Sequence, residues 1–230
     1  MDLPVIYEDN HLLVVDKPAG LLAQGDHSGD RTLVESASAY LKVKYAKPGN
    51  VYIGLVHRLD RNVSGVVVLA RTSKAAARLS AQFRDGRVHK TYLAVVSGEP
   101  QPQQGEVVSW LAVAGDRRGV TRASEAAFPG AKESRLRYET TGTRRGFCQV
   151  QVEPVTGRRH QIRVQMAQLG CPLVGDVKYG SKWRLADHRL ALHALRLELS
   201  HPVGGRDLIL EAPLPRDWPW PDPASKARKA

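Results

Sequence analysis

Cysteine is scarce: Cys148 and Cys171 are the only two in 230 residues. Two thiols cannot build the disulfide framework of a small secreted domain, and neither stands in metal-ligand spacing. A reduced intracellular protein is expected. Long apolar runs are missing too; none approaches the ~20 residues needed to span a bilayer. The opening MDLPVIYEDN is acidic and lacks the basic-then-apolar order of a secretory leader. These absences make the cytoplasm the expected location. No repeat of solenoid period occurs. No HxH, HExxH or Cys/His cluster offers a metal site. Acidic residues are in deficit, with 23 Asp+Glu against 34 Lys+Arg, a formal net charge of +11 and a pI near 9.9.

A basic surplus of that size favours polyanionic partners, because each phosphate neutralised releases condensed counterions. Nucleic acid is the first candidate and an anionic membrane surface the second. Lys42, Lys44, Lys47, Arg84, Arg87 and Lys90 offer a path for a polyanion, although such a scatter equally describes solvated surface. Hydrophobic residues make up 42% and charged residues 25%, as in ordinary globular proteins. The length suits one large domain or two small fused halves.

Residues 5–7 and 12–15 read as two short strands of a hairpin, after which Lys17-Pro18-Ala19-Gly20 opens a loop. Thr32 and Glu35 fit a capping box, and behind it Leu33, Ala37, Tyr40 and Leu41 fall on one helical face. The apolar run 66–70 predicts a strand buried on both faces. Ser73 is placed to cap a second helix carrying Ala77, Leu79 and Phe83 and stopping at Gly86; a strand follows over 92–96. Residues 97–133, rich in Gly, Pro and Gln, read as variable connections with room for a hairpin, and as carrying little chemistry. Strands are expected at 136–139, 147–152, 190–199 and 208–211, and a helix over 159–169. The tail 216–230 is expected to fray after a single domain over 1–215. This irregular alternation points to an α+β class with a mixed sheet.

One segment concentrates charge beside a core strand: His57-Arg58-Leu59-Asp60-Arg61-Asn62-Val63-Ser64-Gly65. Guanidinium groups keep a nearby carboxylate ionised, so Asp60 suits a nucleophile or general base. By residue type alone it equally suits a loop salt bridge with Arg58 or Arg61. HRLDRNVSG resembles the HRLDxxTSG signature of the RluA-type RNA pseudouridine synthases, with Val63 where the family has Thr. Further segments resemble that family in its own order: Asp16-Lys17-Pro18-Ala19-Gly20-Leu21, His89-Lys90-Thr91-Tyr92-Leu93-Ala94, Gly157-Arg158-Arg159-His160-Gln161-Ile162-Arg163 with Gly175-Asp176 and Tyr179-Gly180, and Leu192-His193-Ala194 with His201-Pro202.

The resemblance implies a pseudouridine synthase fold: a mixed, mostly antiparallel central sheet flanked by helices and loops, with the active cleft across it. It implies an isomerase acting on uridines of ribosomal or transfer RNA, without cofactor or metal. Asp60 then attacks the nucleotide or promotes a glycal at the ribose. Tyr92 stacks on the base, Arg163 pairs with the catalytic Asp, and Arg58 replaces the extruded nucleotide or contacts a phosphate. Arg61, Lys90 and Arg159 join Arg58 as RNA-binding candidates. A form without the family's small N-terminal RNA-binding domain, acting as a monomer, is expected. Two other classes stand beside this reading. One is a catalytically inactive RNA-binding or chaperone protein on the same fold. The other is a metal hydrolase using His57, Asp60, His89 and His160.

Overall fold

The computed structural model describes residues 3–26, 28–114, 119–221 and 226–229. In chain order the strands are β1 Val5–Glu8, β2 Leu12–Lys17, β3 Gly54–Leu55, β4 Ser64–Ala70, β5 His89–Ser97, β6 Gln104–Val113, β7 Thr121–Ser124, β8 Lys132–Arg144, β9 Phe147–Pro154, β10 Trp183–Leu185, β11 Leu192–Ser200, β12 Asp207–Glu211 and β13 Ala227–Lys229. The helices are α1 Leu33–Lys44, α2 Ser73–Arg84 and α3 Gln161–Gln168. The class is α+β with a mixed, mostly antiparallel sheet, as expected. The chain divides into two compact units, Met1–His89 with Ala194–Leu214, and Lys90–His193 with Pro215–Ala230. No helix among the described residues is long and apolar enough to cross a membrane.

In the first unit the strands run in the order β1-β2-β4-β11-β12, with the short β3 also on β4. Every residue of β4 is buried, which its three consecutive valines allow because both faces are covered. The capping box of α1 forms as predicted: Glu35 N–H donates to Thr32 Oγ1 at 3.1 Å, and Thr32 N–H to Glu35 Oε2 at 2.8 Å. Leu33, Ala37 and Leu41 are its buried stripe. The cap of α2 is Thr72, one residue before the expected Ser73; its Oγ1 accepts from Ala75 N–H at 3.2 Å. The stripe it buries is Ala75, Leu79 and Gln82, leaving Ala77 exposed. A buried glutamine is accommodated because it imitates a strand: its Oε1 accepts Ser200 N–H at 3.0 Å and its Nε2 donates to Ser200 C=O at 2.7 Å.

In the second unit the order is β5-β9-β8-β6-β7, with β10 and β13 paired separately. Residues 97–133, read as connections with room for a hairpin, hold the ten-residue β6 paired antiparallel with β7, and the start of β8. The inward side of β6 carries Gly105 and Ser109 among its apolar residues, and the outward side carries Val108 and Trp110, so apolar-polar alternation is blurred. Ser109 is fully buried and receives Gln165 Nε2 at 2.8 Å. Of the tail 216–230, expected to fray, residues 222–225 and 230 lie outside the described ones, and the described part is packed. Trp218 is 7% exposed within a cluster of Val95, Phe147, Val174, Leu185 and Ala191, and β13 pairs with β10. A large indole buries enough apolar surface to order a short segment. Helix α3 starts at Gln161 instead of Arg159, because His160 sits in the left-handed region at φ 55°, which ends a right-handed helix.

Candidate active site

In the first unit Asp60 lies half-buried in the loop between β3 and β4. Its backbone is held on both sides. Leu59 is 6% and Val63 2% exposed, and Val63 N–H donates to Asp60 C=O at 3.1 Å, closing a turn. The C=O of Arg61 accepts Gly20 N–H at 2.8 Å and Lys17 Nζ at 3.0 Å. Lys17 has no exposed surface and also donates to the carbonyls of Pro18 and Leu21 at 2.9 and 2.8 Å. Burial pushes its ammonium down to about 7, against the pull of the Asp60 and Asp16 carboxylates. One buried cation thus ties the loop after β2 to the loop of Asp60.

Two further residues fix where this loop begins and ends. Strand β3 pairs with β4 only through Leu55; beyond it His57 Nε2 accepts Val68 N–H at 2.9 Å, and the imidazole stacks on Phe83, 4.7 Å between centroids. Gly65, at φ +122°, passes so close to Ala194 that a Cβ would lie 2.3 Å from its carbonyl oxygen. No other residue fits there. Arg58 and Arg61 are exposed. The ion pair of Arg61 is with Asp30, at 2.7 Å, and its Nε donates to Gly20 C=O.

The second unit carries Tyr92, Lys90, Arg159 and Arg163. Tyr92 is half-buried on β5, opposite Val152 of β9. Lys90 donates to Thr156 C=O at 3.3 Å, and burial lowers its ammonium below the usual lysine range. Arg159 is exposed, and its carbonyl accepts Thr121 Oγ1 at 3.1 Å. Arg163 is buried and makes a two-pronged pair with Asp176: Nε to Oδ2 at 2.7 Å and Nη2 to Oδ1 at 2.9 Å. Its guanidinium also lies over the Tyr179 ring, 5.0 Å from the centroid. Asp176 is 1% exposed. By resemblance Arg163 is the expected partner of the catalytic Asp, whereas Asp176 is a matched letter without a role, since its pairing is set by the fold. Gln161 braces the same segment, its Oε1 accepting Arg158 N–H and Thr156 Oγ1 and its Nε2 donating to Arg135 C=O.

The metal-hydrolase grouping is not assembled: among the described residues no three His, Cys, Asp or Glu side chains come together as a metal-binding group. Of the scattered basic residues, Lys44 pairs with Glu8, and Arg84 and Arg87 with Asp85.

The chain matches the family model described as RNA pseudouridylate synthase over residues 11–168. It is 36% identical to "Ribosomal large subunit pseudouridine synthase D" of Zymomonas mobilis, across 94% of this chain and 70% of that protein. It is 35% identical to "Ribosomal large subunit pseudouridine synthase C" of Rickettsia bellii, across 92% and 68%. Among solved structures, the human "RNA Pseudouridylate Synthase Domain Containing 4" superposes with a TM-score of 0.77 at 26% identity, covering 94% of this chain and 90% of that one. The chain belongs to the RNA pseudouridylate synthase family, within its RluA-type branch, and is an isomerase that acts on RNA.

Proposed function

We propose that Asp60 is the catalytic carboxylate and that the target is a uridine in ribosomal RNA, the large-subunit RNA first and transfer RNA second. The observation that carries the Asp60 assignment is the pinning of the loop around it, by Lys17 on Arg61 C=O, by Val63 N–H on Asp60 C=O and by the buried Leu59, since a reacting carboxylate must be preorganised. The reaction breaks the N1–C1′ bond, turns the uracil, and joins C5 to C1′; the proton lost from C5 balances the one gained at N1. Asp60 either attacks the ribose or removes a ribose proton to form a glycal. Tyr92 holds the detached base by stacking, worth about 1–3 kcal/mol. Arg163, held by Asp176, is the positioning cation. Arg58 fills the space of the extruded nucleotide, an exchange that offsets a few kcal/mol of lost stacking. Arg61, Lys90 and Arg159 meet the RNA backbone. The enzyme works as a monomer in the cytoplasm. These roles take their support from the ordered motif matches and from the relatives' names.

The test is release of tritium from RNA labelled at uridine C5. Wild type should release label from large-subunit ribosomal RNA, whereas Asp60→Ala and Asp60→Asn should bind the RNA and release none. Release by Asp60→Asn at the wild-type rate would refute the assignment. Release from transfer RNA alone would overturn the choice of target.

A further inference from the structure

Around the Arg163–Asp176 pair the second unit holds three further polar side chains, Tyr179, His160 and Thr121, to which the reaction gives no role. Tyr179 closes a 3-10 turn that follows Asp176, with its own N–H on Asp176 C=O at 3.0 Å. That turn carries its ring beneath the Arg163 guanidinium. Its hydroxyl oxygen accepts the backbone N–H of Thr121 on β7 at 2.8 Å and shares a hydrogen bond with His160 Nδ1 at 2.7 Å. Thr121 in turn gives its hydroxyl to Arg159 C=O. His160 occupies the left-handed region at φ 55° and stands at the N-cap of α3 with no side-chain capping hydrogen bond. A non-glycine residue is held there only when its surroundings over-determine it. What His160 gains in that geometry is the reach of its ring to Tyr179.

We infer that Tyr179 is a positioning residue for the isomerisation, fixing the Arg163 guanidinium in register with the β6–β7 hairpin. The inference rests on the reading of Arg163 as part of the reacting machinery. Asp176 grips one edge of the guanidinium and sets its plane. The Tyr179 ring supports its face through a cation–π contact. The hydroxyl then ties that ring to the hairpin on one side and to the start of α3 on the other. A displacement of the hairpin therefore reaches Arg163 through one aromatic ring.

Tyr179→Phe keeps the face and removes both hydroxyl contacts, while Tyr179→Leu removes the face as well. In single-turnover reactions with saturating enzyme, Tyr179→Phe, which gives up both hydrogen bonds of the hydroxyl, should slow pseudouridine formation about tenfold or more. Tyr179→Leu should slow it about 100-fold, as for a misplaced catalytic group. Filter-binding Kd for the RNA should stay within about twofold of wild type, a split that mere structural damage would not produce. Arg163→Lys, which keeps the charge but loses the fork, supplies a double-mutant cycle. In that background Tyr179→Phe should cost almost nothing further. Wild-type rates in folded Tyr179→Phe and Tyr179→Leu, or fully additive losses with Arg163→Lys, would overturn the inference while leaving Arg163 in place. A wild-type rate in Arg163→Lys itself would instead remove Arg163 from the machinery, and the inference with it. The Phe variant and the cycle suffice if the Leu variant does not fold.

Discussion

Replacing Lys17 by methionine keeps the length and apolar stem of a fully buried side chain and deletes its charge. Two effects then oppose each other. The carbonyls of Pro18 and Leu21 lose the donor described for them, while Arg61 C=O keeps Gly20 N–H. Leaving two such acceptors unpaired costs about 1–3 kcal/mol each. Against this, the variant is spared the burial of an ammonium whose pKa falls from 10.5 to about 7 on folding, a shift equivalent to roughly 5 kcal/mol when the group is fully charged. The effects nearly cancel at pH 7. They separate as the pH rises. Between about 7 and 10.5 the unfolded chain holds a proton at Lys17 that the folded chain has released, so the stability drawn from this group increases with pH across that window. The methionine variant has no such proton. Wild type should therefore gain roughly 2 kcal/mol on Lys17→Met between pH 7 and pH 9. Urea unfolding followed by tryptophan fluorescence at pH 7, 8 and 9 measures the difference directly. Parallel pH profiles would refute the reasoning, showing that the three carbonyls keep the ammonium at its ordinary affinity for the proton.

Other perturbations test the frame of each unit by itself. Asp176→Ala removes the two-pronged partner of a buried guanidinium and should destabilise by about 3–5 kcal/mol in urea unfolding, whereas Asp30→Ala, which breaks the exposed pair with Arg61, should cost less than about 1 kcal/mol. Gly65→Ala places a Cβ against Ala194 backbone and should give insoluble protein on expression; Gly20→Ala, with nothing within 4 Å of the added Cβ, should fold with a loss of about 1–2 kcal/mol. Trp218→Ala should cost about 3–5 kcal/mol and expose the tail to limited proteolysis, and a tail equally resistant in the variant would argue against the packing of Trp218.

What was legible in the sequence was local. The run 66–70 and the Thr32–Glu35 box carry their information within a few residues, so β4 and the start of α1 follow from them. Strand β6 was hidden because the reason for a buried Ser109 lies 56 residues away, in Gln165. Trp218 was hidden likewise: its partners are contributed by residues 95–191 and 227. The shifted start of α3 depends on a backbone state at His160 that no periodicity reports. Asp60 was legible only as a letter in a motif, and Asp176 not at all as a partner, since the pairing with Arg163 spans 13 residues and a turn.

The motif itself separates into two kinds of letter once its contacts are known. His57 supplies the acceptor that β3 stops providing to β4, Leu59 and Val63 are anchored in the core, Arg61 is clamped by its carbonyl, and Gly65 is required by Ala194. Each of these is accounted for by shape or by backbone bonding. That division explains why valine is accepted at 63, where the family has threonine. The turn is closed by Val63 N–H on Asp60 C=O, and a 2% exposed side chain there is asked for volume and not for a hydroxyl. At Asp60 that bond is taken by the backbone carbonyl. A loop anchored at so many neighbouring positions, with a half-buried carboxylate at its centre, is organised around that carboxylate. The scaffold letters are the physical support for the proposal that the chemistry lies at residue 60.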